Sequence, residues 1–283
     1  MNHENFAVFI LSHGRPDSIE TIKTLNKGNY TGKWYIVIDN EDETANEYFR
    51  LYGSKVIMFD KLEISKRFDT ADNFDDRRTV VYARNACFDI AKSFGIDYFL
   101  ELDDDYDQLA YRKEIDGVLT QRVNCYQLDR LFDLMIDFLE KTRAKTVAFA
   151  QGGDFIGGVN SGIFQDKLKR KAMNTLFCKT KNPFQFVGRI NEDVNTYTAL
   201  GQKGELFFTI ADVFIHQIQT QSNAGGMTDV YLNSGTYVKS FYSVIFNPSC
   251  VKIAGMGTIN KRIHHRISWN NCVPKILNQK YKK

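Results

Sequence analysis

Proline is scarce in this sequence, with four in 283 residues, and its five cysteines never fall in a CxxC pair. With 43% hydrophobic residues and 13% aromatics, so few breakers argue against long disordered tracts and for an ordinary globular chain. The cysteines, Cys87, Cys125, Cys178, Cys250 and Cys272, are odd in number and widely spaced. They suggest neither a disulfide framework nor a zinc cluster, and fit a reducing, cytoplasmic setting. The first apolar run, Phe6–Leu11, is too short to span a bilayer and follows Glu4 instead of a basic stretch. It reads neither as an anchor nor as a signal peptide, so no membrane partner is expected. Internal repeats are missing, and so are the GxxxxGK[ST] phosphate loop, the GxSxG nucleophile elbow and the HExxH zinc helix.

Acidic residues are also missing from one end. Beyond Asp229 there is no Asp or Glu, and the segment carries +9, leaving −6 for residues 1–229. Such asymmetry points to a polyanionic partner near the C-terminal segment, the plain alternative being a frayed lysine-rich tail. Lys261, Arg262, Arg266 and Lys275, with Trp269 among them, suit contact with a nucleic-acid backbone and base stacking.

What is present is a βαβ rhythm. Phe6–Ser12 is a continuous apolar run, broken by His13-Gly-Arg-Pro16 before Asp17 or Ser18 caps a helix reaching Asn26. Strands follow at Trp34–Asp39, Lys55–Phe59 and Asp97–Leu102, with helices at Glu43–Tyr52 and Arg77–Phe94 and an Asp-rich loop over 60–76. A hairpin over Leu109–Arg122, a helix over Gln127–Thr142, strands at Thr146–Ala150 and Leu206–Ala211, and a helix after Gly188 complete the pattern. Alternating strands and helices imply a mostly parallel sheet flanked by helices, with ligands at the carboxyl ends of the strands.

The strand ending at Leu102 delivers Asp103, Asp104 and Asp105 to that edge. Clustered carboxylates suit a hard cation such as Mg²⁺ or Mn²⁺, which keeps positions open for phosphate oxygens; a solvated acidic turn is the alternative. Asp39 and Asp60 also end strands, and Asp39 suits ribose hydroxyls or a base edge. Arg84 suits a diphosphate or sugar, or else a surface ion pair. Glu192 and Asp193, at a helix start, offer a general base for an acceptor hydroxyl or merely a cap. His264 and His265, with His216 as a weaker candidate, offer a metal ligand or a phosphate contact.

Ser12-His-Gly-Arg-Pro16, Asp103-Asp-Asp105 and Asn191-Glu-Asp193 together resemble GT-A nucleotide-sugar glycosyltransferases. More narrowly, Gly188–Asp193, Asn223–Tyr231, Gly235–Ser243 and Arg262–Trp269 resemble the TET-associated glycosyltransferases of bacteriophages. The resemblance implies a GT-A-like fold and transfer from a nucleotide sugar, a UDP-sugar foremost, to 5-hydroxymethyl pyrimidines in phage DNA, in the host cytoplasm. It places Ser12, Arg15, Asp39, Arg84, Asp103 and Asp104 with the donor, and Asp103, Asp105 and His264 or His265 on Mn²⁺ or Mg²⁺. Glu192 or Asp193 then serves the acceptor. The expected organisation is a catalytic domain over 1–229, with a donor half to about residue 125 and an acceptor half after it, then a basic extension over 230–283. Transfer to a polysaccharide or protein, and DNA binding without catalysis, are the competing functions.

Overall fold

A computed structural model describes residues 5–116, 118–152, 160, 161, 165, 175–218, 238–256 and 262–274. The glycine-rich 153–158, the basic run 167–171, Asn223–Gly226, Lys261, Lys275 and the chain after 274 lie outside the described residues.

Among the described residues nine strands form one sheet: β1 (Phe6–Leu11), β2 (Lys33–Asp39), β3 (Val56–Phe59), β4 (Tyr98–Asp103), β5 (Tyr106–Ile115), β6 (Val118–Asn124), β7 (Ala144–Gln151), β8 (Leu176–Lys179) and β9 (Leu206–Gln217). Their spatial order is β3-β2-β1-β4-β8-β7-β9-β5-β6. The pairings orient seven of these nine strands one way, with β5 and β8 reversed, which is the mostly parallel α/β sheet that the sequence pattern predicts. Helices α1 (Glu20–Lys27), α2 (Ala45–Tyr52), α3 (Lys61–Ser65), α4 (Val81–Ser93), α5 (Leu128–Lys141) and α6 (Glu192–Gln202) are joined by a helix over 238–246, α7. A separate ribbon pairs β10 (Val251–Met256) with β11 (Arg262–Ile267). No described helix is long and apolar enough to cross a membrane.

β1 shows why the sheet is buried on both sides. Phe6, Val8 and Ile10 enter one core with α5 residues Leu128 and Phe132, while Ala7, Phe9 and Leu11 enter another with α4 residues Val81, Cys87 and Ile90. A strand with period-2 side chains and two apolar layers must be apolar throughout, which is the continuous run seen in the sequence. Each fully buried Phe or Leu contributes about 1.5–3 kcal/mol through removal from water. All five cysteines are buried and unpaired as disulfides.

Several expectations shift. The 60–76 loop contains α3, which Asp60 caps by accepting a hydrogen bond from the Glu63 amide at 2.9 Å. Asp60 therefore serves as the helix N-cap through one carboxylate oxygen. The first helix begins at Glu20 without a side-chain cap, so neither Asp17 nor Ser18 caps it. Strand β8 and the β10–β11 ribbon were not foreseen.

Register fixes where the site lies. Leu11 pairs with Asp103 and with Val37, and Asp39 pairs with Phe59, so the carboxyl ends of β1, β2, β3 and β4 finish along one edge. Ser12, Asp39 and Asp103–Asp105 thus arrive together.

Candidate active site

The Asp triplet divides its labour by strand geometry. Asp104 turns inward and is buried; it accepts from Ser12 Oγ at 2.5 Å and pairs with Arg15 Nη2 at 2.8 Å. Burial pushes its carboxyl up to about 6, opposed by the Arg15 charge and the Ser12 hydrogen bond. Ser12 Oγ also lies 2.7 Å from the Tyr48 hydroxyl, which accepts from the Arg15 amide at 2.9 Å. Asp104, Ser12 and Arg15 therefore brace the loop after β1, where Gly14 takes φ +71°. A left-handed residue is needed there, and glycine adopts that conformation without steric cost.

Asp39 is likewise buried, between His13 Nδ1 at 2.9 Å and Lys61 Nζ at 3.1 Å. Burial pushes its carboxyl upward, but hydrogen bonding from His13 and the Lys61 charge win and hold it below the usual range. Asp42 accepts from the Gly14 amide at 2.8 Å and from Thr44 Oγ1 at 2.6 Å, tying the same two loops. His13, Asp42, Tyr48 and Lys61 are site residues that sequence reasoning missed; His13 alone carried a signal, inside the Ser12–Pro16 string.

Asp103 and Asp105 flank the inward Asp104. Asp103 accepts from Arg84 Nη2 at 3.0 Å and from the Tyr106 hydroxyl at 3.3 Å. Both Asp105 oxygens lie 3.0 Å from Gln217 Nε2, at the end of β9. Burial, reinforced by the neighbouring Asp103 charge, pushes Asp105 up to about 7.

From sequence Arg84 suits a diphosphate or sugar, or else a surface ion pair. Its guanidinium is instead 1% exposed and bonded to three carboxylates: Glu192 from Nε at 3.1 Å, Glu101 from Nη1 at 3.4 Å and Asp103 from Nη2 at 3.0 Å. It links the end of β4 to the start of α6, and its nitrogens are directed at protein oxygens. Burial pushes Glu101 up to about 8 and Glu192 up to about 7, with Arg84 opposing in both. Of the Asn191–Asp193 acidic pair, Glu192 is thus the buried member and Asp193 the half-buried one.

Asn191 explains how that turn is held. It sits at φ +57°, a conformation asparagine tolerates better than most side chains, and Gly188 precedes it at φ +84°. Asn191 Nδ2 donates to the Lys239 carbonyl at 2.7 Å, and lies 3.2 Å from Ser243 Oγ and 3.3 Å from His265 Nδ1. The turn therefore joins α6, α7 and β11. Arg189, also buried, reaches Asp72 at 2.8 Å, Asp76 at 3.0 Å and the Tyr242 hydroxyl at 2.9 Å. It locks the 69–78 loop to the same segment, aided by backbone bonds from Gly188 to Asp69 and from Arg189 to Thr70.

Other sequence candidates disperse. His265 reaches the site through Asn191, and the His264 ring lies 4.2 Å from it. His216 pairs with Asp107 at 2.6 Å. Arg266 is exposed on β11, whereas Trp269 stacks on Tyr197 at 5.8 Å and packs beside Cys250, Val251 and Cys272. That indole already has a protein partner on one face. Lys261, Lys275 and the Arg262 side chain lie outside what the structure describes. Among the described residues no three His, Cys, Asp or Glu side chains converge on a point where they could hold a metal.

No curated protein matches the sequence. Among solved structures, glucosyl-3-phosphoglycerate synthase from Mycobacterium tuberculosis with Mn²⁺, UDP and phosphoglyceric acid is 10% identical, with TM-score 0.46 over 93% of this chain and 86% of that one. The same enzyme with Mg²⁺ and UDP gives 9% identity and TM-score 0.44 over 93% and 87%. Its complex with Mn²⁺ and UDP-glucose gives 9% and 0.45 over 93% and 86%. A family model matches residues 6–226, most of the chain and all of the elements that build this site up to β9; the protein belongs to the TET-Associated Glycosyltransferase family.

Proposed function

We propose that this glycosyltransferase moves a sugar from a nucleotide sugar, a UDP-sugar foremost, to the hydroxymethyl group of a 5-hydroxymethyl pyrimidine in DNA. The observation that carries the reading is the Arg84 bridge. It joins Asp103, on the strand edge where a donor would lie, to Glu192, beside the one carboxylate of the Asn191–Asp193 turn that is only half-buried. A DNA acceptor is supported by the acid-free segment beyond Asp229, part of which folds as α7 and β11 against that same turn.

In this reading the donor half runs to about residue 125, the acceptor half follows to 229, and the basic remainder completes the site. Asp103 and Asp105, whose carboxylate oxygens suit a hard divalent cation, would hold it. Mn²⁺ or Mg²⁺ so held would supply charge neutralisation for the departing nucleoside diphosphate. Asp39, buried with Lys61 and His13, presents a fixed polar edge to the nucleoside. Arg15, braced by Asp104, holds its loop toward the diphosphate. Asp193 takes the proton of the acceptor hydroxyl as that oxygen bonds the anomeric carbon and the diphosphate leaves with the electrons of the broken C–O bond. Glu192, committed to Arg84, positions the turn.

Mass spectrometry of nucleosides from hydroxymethylated DNA, incubated with protein, Mn²⁺ and a panel of nucleotide sugars, tests this directly. A sugar mass added to the hydroxymethyl nucleoside is expected. Modification of glycan alone, or a nucleotide adduct in place of a sugar, overturns the reading.

A further inference from the structure

Between the 72–78 loop and Arg189 lies an open cavity of about 570 Å³, lined by Glu41, Phe74, Asp75, Asp76, Arg77, Arg78 and Arg189. We propose that it receives a nucleobase extruded from the DNA acceptor, with Phe74 as the stacking platform; this deepens the function proposed above and rests on it.

Phe74 is 69% exposed, the most exposed large apolar side chain among the described residues. Keeping a phenyl ring in water forgoes the stabilisation that burial would give, and leaves its face open to a stacking ligand. It is held rigidly. Asp72 Oδ1 accepts from the Phe74 amide at 3.2 Å, and Asp72 is itself bonded to Arg189 and Tyr242. Arg189, almost wholly buried, lies with its guanidinium carbon 5.9 Å from the Phe74 ring centroid, forming the inner wall.

The lining chemistry selects among ligands. Three guanidinium groups face three carboxylates, and each is paired: Arg77 with Glu41 and Asp75, Arg78 and Arg189 with Asp76. A balanced wall of this kind is a poor nest for a phosphate, whose recognition wants uncompensated positive charge. It does match the edge of a base, which presents donors and acceptors side by side. The cavity volume falls within the range of small-molecule sites.

Position argues for the acceptor's base. Glu41 lies two residues beyond Asp39 and Arg189 belongs to the segment that carries Glu192 and Asp193, so the lining draws on the two segments that the function reading gives to donor and acceptor. An enzyme working on a base hydroxymethyl must take the base out of the stack or use opened DNA, and an aromatic platform recovers the lost stacking.

The test compares wild type, F74A and F74W for transfer to hydroxymethylated DNA, with KM measured separately for DNA and for the nucleotide sugar. F49A, at an exposed aromatic on α2 outside the site, is the control. F74A is expected to raise KM for DNA roughly tenfold or more, as stacking losses do, with KM for the sugar donor unchanged and F74W restoring most of the loss. An unchanged KM for DNA overturns the proposal. A rise in donor KM by the same factor also overturns it, because the cavity then holds the donor's base. Absence of any wild-type transfer to DNA removes the function reading and the base slot together; wild-type transfer with an indifferent Phe74 removes the slot alone.

Discussion

Arg84→Met removes the guanidinium shared by Glu101, Asp103 and Glu192 while leaving an apolar side chain to fill the space of its stem. The three contacts lie at 3.0–3.4 Å and the residue is 1% exposed, so solvent screens them little. Breaking a buried ion pair from one side costs about 3–5 kcal/mol, because uncompensated charge remains inside. The cost depends on pH, and its sign follows from Glu101 at about 8 and Glu192 at about 7, both raised from 4.5 chiefly by burial. A carboxyl whose folded pKa lies above its unfolded value binds more protons when folded. Stability therefore falls as pH climbs from the unfolded value through the folded one. Without Arg84 the folded values move higher still, and the variant goes on losing stability after wild type has levelled off, by about 1.4 kcal/mol for each further pH unit and group. Urea unfolding at pH 6 and pH 9, read by circular dichroism, should show a gap below that range at pH 6, where Glu101 and Glu192 are largely protonated, that widens into it at pH 9. Replacing Glu101 as well, in R84M/E101M, should recover part of it. A gap below about 1 kcal/mol at pH 9, or one that narrows as pH rises, would refute the argument that Arg84 compensates buried carboxylates.

Asp104 and Asp105 should separate stability from catalysis. D104N is expected to lose about 1–3 kcal/mol in urea unfolding through its bonds to Ser12 and Arg15, whereas D105N, whose amide oxygen can still accept from Gln217, should unfold like wild type and transfer no sugar. Equal destabilisation by both would contradict the inward and outward assignment. Gly188→Ala must place a Cβ at φ +84° within 2.2 Å of Asn195 Nδ2 and 2.8 Å of Phe246 Cε2, and should cost about 2–4 kcal/mol; an unshifted melting temperature would show that the turn relaxes. D193N should abolish transfer with stability kept, while E192Q should keep measurable transfer with a lowered melting temperature. The reverse result would make Glu192 the base.

The parts of this protein that were legible in the sequence are those whose cause is local. β1, β2 and β4 are buried on both faces, so each reads as an apolar run ending in a polar residue, and their parallel pairing puts those ends on one edge. β8 has four residues, too few to show a period, and pairs only with strands far away in sequence. The β10–β11 ribbon alternates weakly and carries charge, so it looked like a basic string. On α4 the helical period gathers Val81, Ala83, Ala86, Cys87, Ile90, Ala91 and Phe94, of which Ala83 is only half-buried and Phe94 is exposed, and it leaves Arg84 as the polar exception beside them, since a lone arginine is normally on the surface. Its burial is paid for by partners 17, 19 and 108 residues away, which no window of sequence contains. Arg189 repeats the case, with Asp72 and Asp76 more than 100 residues distant. Arg84 and Arg189 both lie where the segment 188–193 meets the earlier strands and loops. A buried charge is tolerated only when every partner is in place, so these two residues make the joining of those segments an all-or-none event. The edge of carboxylates could be read as a donor site because each strand announces its own end; the bridge from that site to Glu192 exists only in the folded chain.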